Sequence, residues 1–155
     1  MNILFVCTGN VSRSYLAEML LRHEIGKYQL HGIHVASAGI LEYSGIPADP
    51  VMEDYLAGLN IPSGDHLSQT ITKENVDWAD RIFVMEKRHR DFITAQWPES
   101  DCKIERLGKY ISPEQPEDDI IDPYGKSPYH YRVVQAQIAS AIKILFAKLA
   151  KDKSR

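Results

Sequence analysis

Residues 1–27 have the sequence MNILFVCTGNVSRSYLAEMLLRHEIGK, which contains an apolar run, a short loop of small and polar residues, and a longer segment that mixes apolar and polar residues. The apolar run Ile3–Val6 predicts a short buried strand. The segment from Ser14 to about Lys27 carries apolar residues at near-helical spacing, which predicts a helix. The loop between them, Cys7–Ser14, has the sequence CTGNVSRS. A strand, a tight loop and a helix in this order are typical of the first unit of a parallel α/β sheet.

The rest of the chain repeats this alternation of strands and helices. Further strands are predicted at Ile33–Ala36, Arg81–Glu86 and Cys102–Leu107, and further helices at Lys73–Trp78, Glu86 to about Gln96 and Tyr129–Lys151, with a long connection from Tyr110 to Tyr131. Asp49 followed by Pro50 predicts a helix N-cap and the first helical residue. We therefore expect an α/β fold with a small parallel sheet, in a single domain spanning residues 1–155.

The apolar spacing also predicts which residues two of these helices bury. The helix after Pro50 is expected to bury Val51, Met52, Tyr55 and Leu56, and the last helix Val133, Ile138, Ile142, Leu145 and Leu149.

The composition is typical of a soluble globular protein, with 44% hydrophobic and 25% charged residues. No apolar stretch approaches the ~20 residues of a membrane span, and the first apolar run is too short for a signal peptide. Two cysteines in such a chain indicate a reducing, cytoplasmic setting. A net charge of -3 favours neither nucleic acid nor an anionic membrane as a partner. The basic cluster EKRHRD, residues 86–91, is expected to be a solvated helix face.

The loop after the first strand has the composition of an oxyanion site. In a parallel sheet the functional crevice lies beyond the carboxyl ends of the strands, where backbone N–H groups and a helix N-terminus attract anions. Gly9 tolerates close approach of a ligand, and Asn10 is, after glycine, the residue type most suited to a left-handed conformation. Arg13 supplies a planar fork for two phosphoryl oxygens. In that field Cys7 is expected to ionise to a thiolate nucleophile, with Ser14 hydrogen-bonded to its sulfur.

A simpler interpretation of Cys7 is a small buried hydrophobe, since free cysteines are often just that. The spacing C-x5-R alone would also occur by chance in roughly one such chain in ten. The preceding strand, Gly9, the serine after the arginine and the helix behind them are together more specific, and they favour the nucleophile.

These residues also resemble a known family. The stretch VCTGNVSRSYLAE resembles the active-site loop of the low-molecular-weight protein tyrosine phosphatases, usually written C-x-G-N-x-C-R-S-P. The resemblance continues in the family's order through SAG at residues 37–39, the turn GIPADP, the VME that ends the third strand with His89 behind it, and IDPY at residues 121–124. It implies a three-layer, flavodoxin-like fold with four parallel strands ordered 2-1-3-4. It also implies a phosphorylated protein or peptide as substrate, inorganic phosphate as product, and no metal or organic cofactor.

The chemistry requires one more group, because attack by Cys7 on a phosphoester expels an alkoxide or phenolate that must be protonated. An aspartate before proline is in most sequences a turn former. The resemblance assigns it a role instead, since the family's Asp-Pro motif before the last helix supplies the general acid and Asp122–Pro123 occupies that place. The same carboxylate would then activate the water that hydrolyses the phosphocysteine.

Other site residues follow from the resemblance. The phosphoryl group is expected to be bound by loop residues Thr8, Gly9, Asn10, Val11, Ser12 and Ser14. A supporting hydrogen-bonded network is implied for Asn10, Ser14, Ser37 and His66, although His66 is equally consistent with a surface loop. Tyr124 would form an aromatic wall for a phenyl phosphate, with core packing as its alternative, and Tyr43 would form the opposite wall. Tyr129 and Tyr131 are expected only to start the last helix.

The chain departs from the family pattern at two loop positions. Ser12 replaces the usual second cysteine, so no disulfide with Cys7 can form inside the loop. Tyr15 replaces the usual proline and adds a ring near the site. The other thiol, Cys102, is expected to be structural.

The substrate remains open between phosphotyrosine and phosphoarginine. Relatives that act on phosphoarginine carry a threonine at the position of Val11, whereas an apolar side chain suits an aryl group better. Val11 therefore favours phosphotyrosine, but the DPYG stretch resembles the arginine-directed branch. Two further hypotheses are an arsenate reductase of related fold, which would need additional placed cysteines, and a non-catalytic phosphate-binding module.

Overall fold

Four strands form a parallel sheet in the order β2-β1-β3-β4, in a computed structural model that describes residues 1–111, 114 and 118–155. The strands are β1 Asn2–Cys7, β2 His34–Gly39, β3 Arg81–Val84 and β4 Ile104–Arg106. The helices are α1 Arg13–Lys27, α2 Pro50–Gly58, α3 Lys73–Trp78, α4 Lys87–Gln96 and α5 Pro128–Lys153, with 3₁₀ turns at Pro98–Lys103 and Leu107–Tyr110. The predicted α/β class, the flavodoxin-like layering and the strand order 2-1-3-4 are confirmed.

Alternate residues of β1 face the two sides of the sheet. Ile3, Phe5 and Cys7 lie in the core that includes α1 and α5, whereas Leu4 and Val6 lie in the core that includes α3 and α4. Both faces of a central parallel strand are therefore covered by helices, as is usual for a sheet built from strand–helix–strand units. The result is a three-layer arrangement whose most buried strand leads directly into the loop after Cys7.

The end of β2 lies against that loop. Cys7 pairs with Gly39 in the parallel register, so the two strands end level. A Cβ atom at Gly39 would lie 2.8 Å from the carbonyl oxygen of Thr8, so no larger residue fits there without displacing the loop. The backbone continues the contact, because the N–H groups of Ile40 and Leu41 donate to the carbonyls of Cys7 and Thr8, both at 3.1 Å.

Some predicted boundaries and buried positions differ from the structure. β2 extends to Gly39, whereas the predicted strand ended at Ala36. Ser37 and Ala38 are both buried beside β1, so the sequence shows no alternation of apolar and polar residues there that would indicate a strand. Val51 and Val133 were predicted to be buried but are 41% and 37% exposed. Each of these two valines lies about 100° around its helix from a buried neighbour, outside the stripe that faces the core.

Among the described residues, α5 is the one helix long and apolar enough to cross a membrane by length and composition alone. Charged residues interrupt it, so no uninterrupted apolar run marks it in the sequence. The core helix of a globular domain passes the same test, and residues along α5 from Tyr131 to Leu149 are buried in the core shared with α1.

A cluster of polar side chains joins β3 to β4. The Arg81 guanidinium lies 3.0 Å from the Glu105 carboxylate and donates to the Tyr110 hydroxyl at 2.8 Å. Tyr110 in turn donates to Glu105 at 2.5 Å, and Lys109 lies 3.0 Å from the same carboxylate. Burial opposes ionisation of Glu105, but the hydrogen bonds from Tyr110, Lys109 and Arg81 outweigh it and lower its pKa to about 2.

This cluster predicts an acid-sensitive contribution to stability. Because the folded pKa of Glu105 lies below its ordinary value of 4.5, the unfolded chain takes up the proton first as the pH falls. The stabilisation is present above pH 4.5 and is lost toward pH 2. Urea unfolding of Glu105→Gln should show a deficit of about 2–3 kcal/mol at pH 6 that shrinks as the pH falls. The exposed Glu42→Gln serves as control, and an equal deficit at every pH would contradict this assignment.

Candidate active site

The loop after β1 is organised around Asn10, which has a φ of 57° in the left-handed region. This conformation lets the N–H of Asn10 turn toward the Cys7 sulfur, at 3.3 Å. The side chain of Asn10 holds the conformation from the other side. Its Nδ2 donates to Ser14 at 2.9 Å and Ser37 at 2.8 Å, and its Oδ1 accepts from the backbone N–H of Gln69 at 3.0 Å.

A carboxylate sets the direction of these hydrogen bonds. The Ser37 hydroxyl donates to buried Glu18, which as a carboxylate can only accept, so Ser37 must accept from Asn10. Ser14 likewise accepts from Asn10 and retains its own hydroxyl hydrogen. The Ser14 oxygen lies 2.9 Å from the Cys7 sulfur, so that hydrogen is available to the sulfur. In this direction Ser14 is the donor and the sulfur is the acceptor.

His66 contacts the same loop through the backbone. Its Nε2 lies 2.7 Å from the carbonyl oxygen of Asn10, and its ring centroid lies 4.5 Å from that of Tyr15. Tyr15 is fully buried, and its hydroxyl donates to the carbonyl of Ser63 at 3.3 Å. The tyrosine that replaces the family's proline therefore packs on His66 and is not among the residues that line the site cavity.

Asp49 joins the loop to two helices. The Ser12 hydroxyl and the Tyr131 hydroxyl both donate to Asp49 Oδ2, at 2.5 Å and 2.6 Å. The other carboxylate oxygen accepts from the N–H of Val51, which confirms Asp49 as the N-cap of α2. Burial and the hydrogen bond to Asp49 raise the pKa of Tyr131, so its phenol stays protonated. Tyr131 was expected only to start the last helix, but it ties α5 to the loop.

The Arg13 guanidinium is buried with 1% exposure and is held by two acceptors on one side. Its Nη1 donates to Glu86 at 2.6 Å and to the carbonyl of Ile120 at 2.7 Å. Its Nη2 lies 3.3 Å from Thr8 Oγ1 and 3.5 Å from Asp122 Oδ2. Burial opposes ionisation of Glu86, but hydrogen bonds from Arg88 and Arg13 outweigh it and lower the pKa of Glu86. The arginine thus has a permanent counter-charge behind it.

Two anchors bring Asp122 to this arginine. Ile120 is fully buried, and its N–H donates to the carbonyl of Met85 at 2.9 Å, directly beyond β3. Asp119 accepts from the N–H of Lys87 at 2.9 Å, at the start of α4. Asp122 follows these anchors and accepts from the N–H of Tyr124 at 3.1 Å, with its side chain 40% exposed.

The expectation for residues 86–91 was wrong at two positions. Glu86 is mostly covered, and His89 is fully buried. The Nδ1 of His89 accepts from the N–H of Glu86 at 3.1 Å, and its Nε2 lies 3.0 Å from Thr8 Oγ1. Burial and the Arg13 charge lower the pKa of His89 to about 3, so the ring is neutral and its Nε2–H donates to Thr8. The position of Glu86 just beyond the end of a buried parallel strand could have indicated a site residue, since such a residue lies at the functional edge of the sheet.

These elements enclose a cavity of about 410 Å³ beyond the carboxyl ends of the strands. Of the site residues predicted from the sequence, those that line this cavity are Cys7, Thr8, Gly9, Val11, Ser12, Arg13, Tyr43, Asp122 and Tyr124. Asn10, Ser14 and Ser37 lie behind the loop in the hydrogen-bonded network. Leu41, Ile46 and Pro47 complete an apolar side that the sequence analysis did not identify.

The second cysteine lies elsewhere. Cys102 was expected to be a structural residue, but it is exposed on the 3₁₀ turn before β4, while Cys7 is buried. Cys102 lies on the turn that starts at Pro98, before β4 begins, and faces solvent. It therefore does not pack in the core, as a residue of the predicted strand Cys102–Leu107 would.

Comparison with known proteins agrees with this geometry. The family described as low molecular weight phosphotyrosine protein phosphatase matches residues 2–155. A protein-arginine-phosphatase from Geobacillus stearothermophilus is 34% identical over 97% of each chain. The low molecular weight protein-tyrosine-phosphatase Etp of Escherichia coli K12 is 35% identical over 90% of this chain and 88% of its own. A solved structure of the YwlE arginine phosphatase, a C7S mutant with phosphorylated active site serine, superposes with a TM-score of 0.90 at 28% identity over 99% of both chains.

The chain belongs to the low molecular weight phosphotyrosine protein phosphatase family, a family of hydrolytic phosphatases. The family includes relatives named for tyrosine and for arginine phosphatase activity, so membership alone leaves the substrate open.

The left-handed Asn10 predicts a specific stability difference. Asn10→Ala should destabilise the protein by about 3–5 kcal/mol, because it strains the backbone and removes the buried amide that donates to Ser14 and Ser37 and accepts from the N–H of Gln69. Asn60 also has a positive φ, 58°, but is exposed, so Asn60→Ala should cost only about 1 kcal/mol for the strain. Asn10→Gly relieves the strain and should still lose about 2–4 kcal/mol. Urea unfolding measures all three, and equal losses at positions 10 and 60 would show that the network contributes nothing.

Proposed function

We propose that residues 1–155 form a single phosphatase domain that hydrolyses phosphotyrosine in proteins through a phosphocysteine intermediate. The observation that carries this proposal is the environment of one sulfur. Cys7 Sγ receives the Asn10 N–H at 3.3 Å and the Ser14 hydroxyl at 2.9 Å, at the base of a cavity that also contains Arg13 and Asp122.

In the first step the Cys7 thiolate attacks phosphorus, an S–P bond forms and the bond from phosphorus to the aryl oxygen breaks. The Asp122 carboxyl transfers its proton to the departing oxygen. Arg13 Nη2 and the loop N–H groups bind the non-bridging oxygens, whose charge they stabilise in the transition state. Glu86 holds the guanidinium through Nη1, so Nη2 stays directed at the cavity.

In the second step Asp122, now a carboxylate, takes a proton from water, and the water oxygen attacks phosphorus. The S–P bond breaks, the electron pair returns to sulfur, and inorganic phosphate leaves. Ser14 donates to the departing sulfur, a role supported by the direction of its hydrogen bonds. The YwlE C7S mutant supports the site of phosphoryl transfer, since in that protein the active site serine is phosphorylated. These steps use side chains of this chain and water, and we propose no metal or organic cofactor.

The walls of the cavity support an aryl substrate. Val11, Tyr43, Ile46 and Tyr124 offer apolar or aromatic surface, and a phosphotyrosine ring can stack on such a surface while its phosphate reaches Arg13. A phosphoguanidinium group would bring several N–H donors to a side where these walls offer few acceptors. Arginine phosphatase activity is the second candidate, favoured by the similarity to the Geobacillus enzyme.

We also propose a cytoplasmic location, supported by the free thiols Cys7 and Cys102.

An arsenate reductase would need a second thiol to relay oxidation from Cys7. Cys102 is the other cysteine in the chain, and its exposed position on a turn before β4 gives this hypothesis no support over the phosphatase. A non-catalytic phosphate-binding module would not need Asp122, whose anchored position beside Arg13 supports turnover.

Turnover of matched peptides tests the proposal. Two peptides of one sequence, carrying phosphotyrosine or phosphoarginine at the same position, should differ in kcat/KM at least tenfold in favour of phosphotyrosine, because the apolar walls discriminate by about 1–3 kcal/mol. Cys7→Ser should abolish turnover and still bind inorganic phosphate in calorimetry. A preference for phosphoarginine would reassign the substrate, and Cys7→Ser activity near that of the wild type would rule out the nucleophile.

The acid role of Asp122 predicts a dependence on the leaving group. Asp122→Asn should slow turnover of phenyl phosphate by about 100-fold or more, and that of a p-nitrophenyl ester much less, because a good leaving group needs little protonation. Asp118→Asn removes an exposed charge on the same loop and should change neither rate more than about twofold. Equal slowing of both esters by Asp122→Asn would require another acid.

A further inference from the structure

A second arginine lies at the edge of the cavity, and the proposed catalytic steps do not use it. Arg88, in the first turn of α4, lies with its Nη2 2.6 Å from Thr8 Oγ1, and Thr8 lines the cavity. The Nε and Nη2 of Arg88 also donate to the two oxygens of Glu86, at 3.2 Å and 3.1 Å. One edge of this guanidinium is therefore fixed against the site, although the side chain is 53% exposed.

Arg88 and Arg13 share the same two acceptors. Glu86 Oε2 accepts from both guanidiniums, at 2.6 Å from Arg13 and 3.1 Å from Arg88. Thr8 Oγ1 lies within 3.3 Å of an Nη2 atom of each. Two guanidiniums thus share one carboxylate, and Asp122 Oδ2 lies 3.5 Å from Nη2 of Arg13. Arg13 is buried and Arg88 is 53% exposed, so Arg88 is the guanidinium of this pair that a residue flanking the phosphorylated side chain can reach.

The carboxylates Asp119 and Asp122 also act electrostatically on Arg88, but each lies closer to another arginine, Asp119 to Arg106 and Asp122 to Arg13. Asp119 is the next carboxylate on the loop, and it accepts from Arg106 at 3.1 Å and from the N–H of Lys87. Lys87 lies 2.8 Å from Asp91 on the outer side of α4. On the opposite side of the cavity Tyr43 and Ile46 are uncharged, and the Asp49 carboxylate that also lines it is 5% exposed and accepts from Ser12 and Tyr131. The mouth of the cavity therefore has apolar side chains on one side and the exposed guanidinium of Arg88 on the other.

We propose that Arg88 is a specificity-determining residue that selects phosphopeptides with a carboxylate flanking the phosphorylated residue. A peptide that inserts its phosphorylated side chain must lie across the cavity mouth, and one or two residues of extended chain span about 3–7 Å. That reach places a flanking Asp or Glu beside the exposed edge of Arg88. The attraction acts between charges in a partly desolvated cleft, where electrostatic complementarity sets specificity more than total affinity. This inference rests on the proposed phosphoprotein substrate.

A purely structural role for Arg88, as a support for Glu86 and through it for Arg13, predicts a different result. Loss of such a support would lower turnover of every substrate by the same factor. A selecting role changes the ratio between substrates, and that ratio must depend on charge and on salt. The matched control is Arg90, two residues along the same helix, which is half-exposed and pairs with Asp101 away from the cavity.

The experiment uses one phosphotyrosine peptide in three versions, with Glu, Gln or Lys on both sides of the phosphorylated residue. The wild-type protein should give a kcat/KM ratio of about 3- to 10-fold between the Glu and Lys versions, shrinking as salt rises from 0.05 M to 0.5 M. Arg88→Gln should reduce the ratio to about 1, while Arg88→Lys keeps most of it because the charge remains. Arg90→Gln should leave the ratio unchanged. An Arg88→Gln protein that keeps the wild-type ratio, or loses rate equally on all three peptides, would overturn the assignment.

A binding measurement separates this inference from the proposed function. The Cys7→Ser protein should bind the Glu version more tightly than the Lys version by the same factor as the kcat/KM ratio. The double variant Cys7→Ser/Arg88→Gln should bind the two versions equally. If the wild-type protein turns over none of the phosphotyrosine peptides, the proposed function fails, but the binding ratio still decides the role of Arg88. Equal dissociation constants for the Glu and Lys versions would overturn the selecting role whatever the turnover.

Discussion

The left-handed backbone at Asn10 is the constraint on which the site depends. It turns the N–H of residue 10 toward the Cys7 sulfur, and no regular strand or helix conformation would do so. An asparagine tolerates this conformation better than other residues with a side chain, and its amide also supplies the hydrogen bonds that hold it. The chain from Glu18 through Ser37 and Asn10 to Ser14 then directs a hydroxyl hydrogen at the sulfur. One strained residue therefore organises both the shape and the polarity of the loop.

Charge balance around Arg13 imposes a second constraint. A buried guanidinium is costly without a partner, and Glu86 supplies that partner from the N-cap of α4, two residues after β3 ends. The carbonyl of Ile120 completes the anchoring and also brings the loop that carries Asp122 into position. A single cation thus connects the first loop, the end of β3 and the loop before α5. The same arrangement that holds the arginine also positions the proposed acid.

The cavity combines two different surfaces, and this is the basis for proposing both a substrate and a selection rule. Relatives of this chain are named for tyrosine and for arginine phosphatase activity. The apolar side formed by Tyr43, Ile46 and Val11 and the cationic edge formed by Arg88 are properties of the walls. Membership of one family therefore does not fix the substrate, and in this chain the walls are the surfaces that the group attached to the phosphate would contact.

The first strand, the loop and the first helix could be predicted from the amino-acid sequence, because hydrophobic spacing and residues such as Gly9, Asn10 and Arg13 act within a few positions of one another. The α/β alternation and the N-cap at Asp49, which depend on local preferences, could be predicted as well. Three features could be found only from the folded chain: Glu86 and His89 are covered under the loop, Tyr131 and Ser12 share Asp49, and Arg88 contacts Thr8 at the cavity. These contacts join residues many positions apart across the carboxyl edge of the sheet, and a carboxylate or histidine in a charged run carries no local sign of which distant partner will bury it.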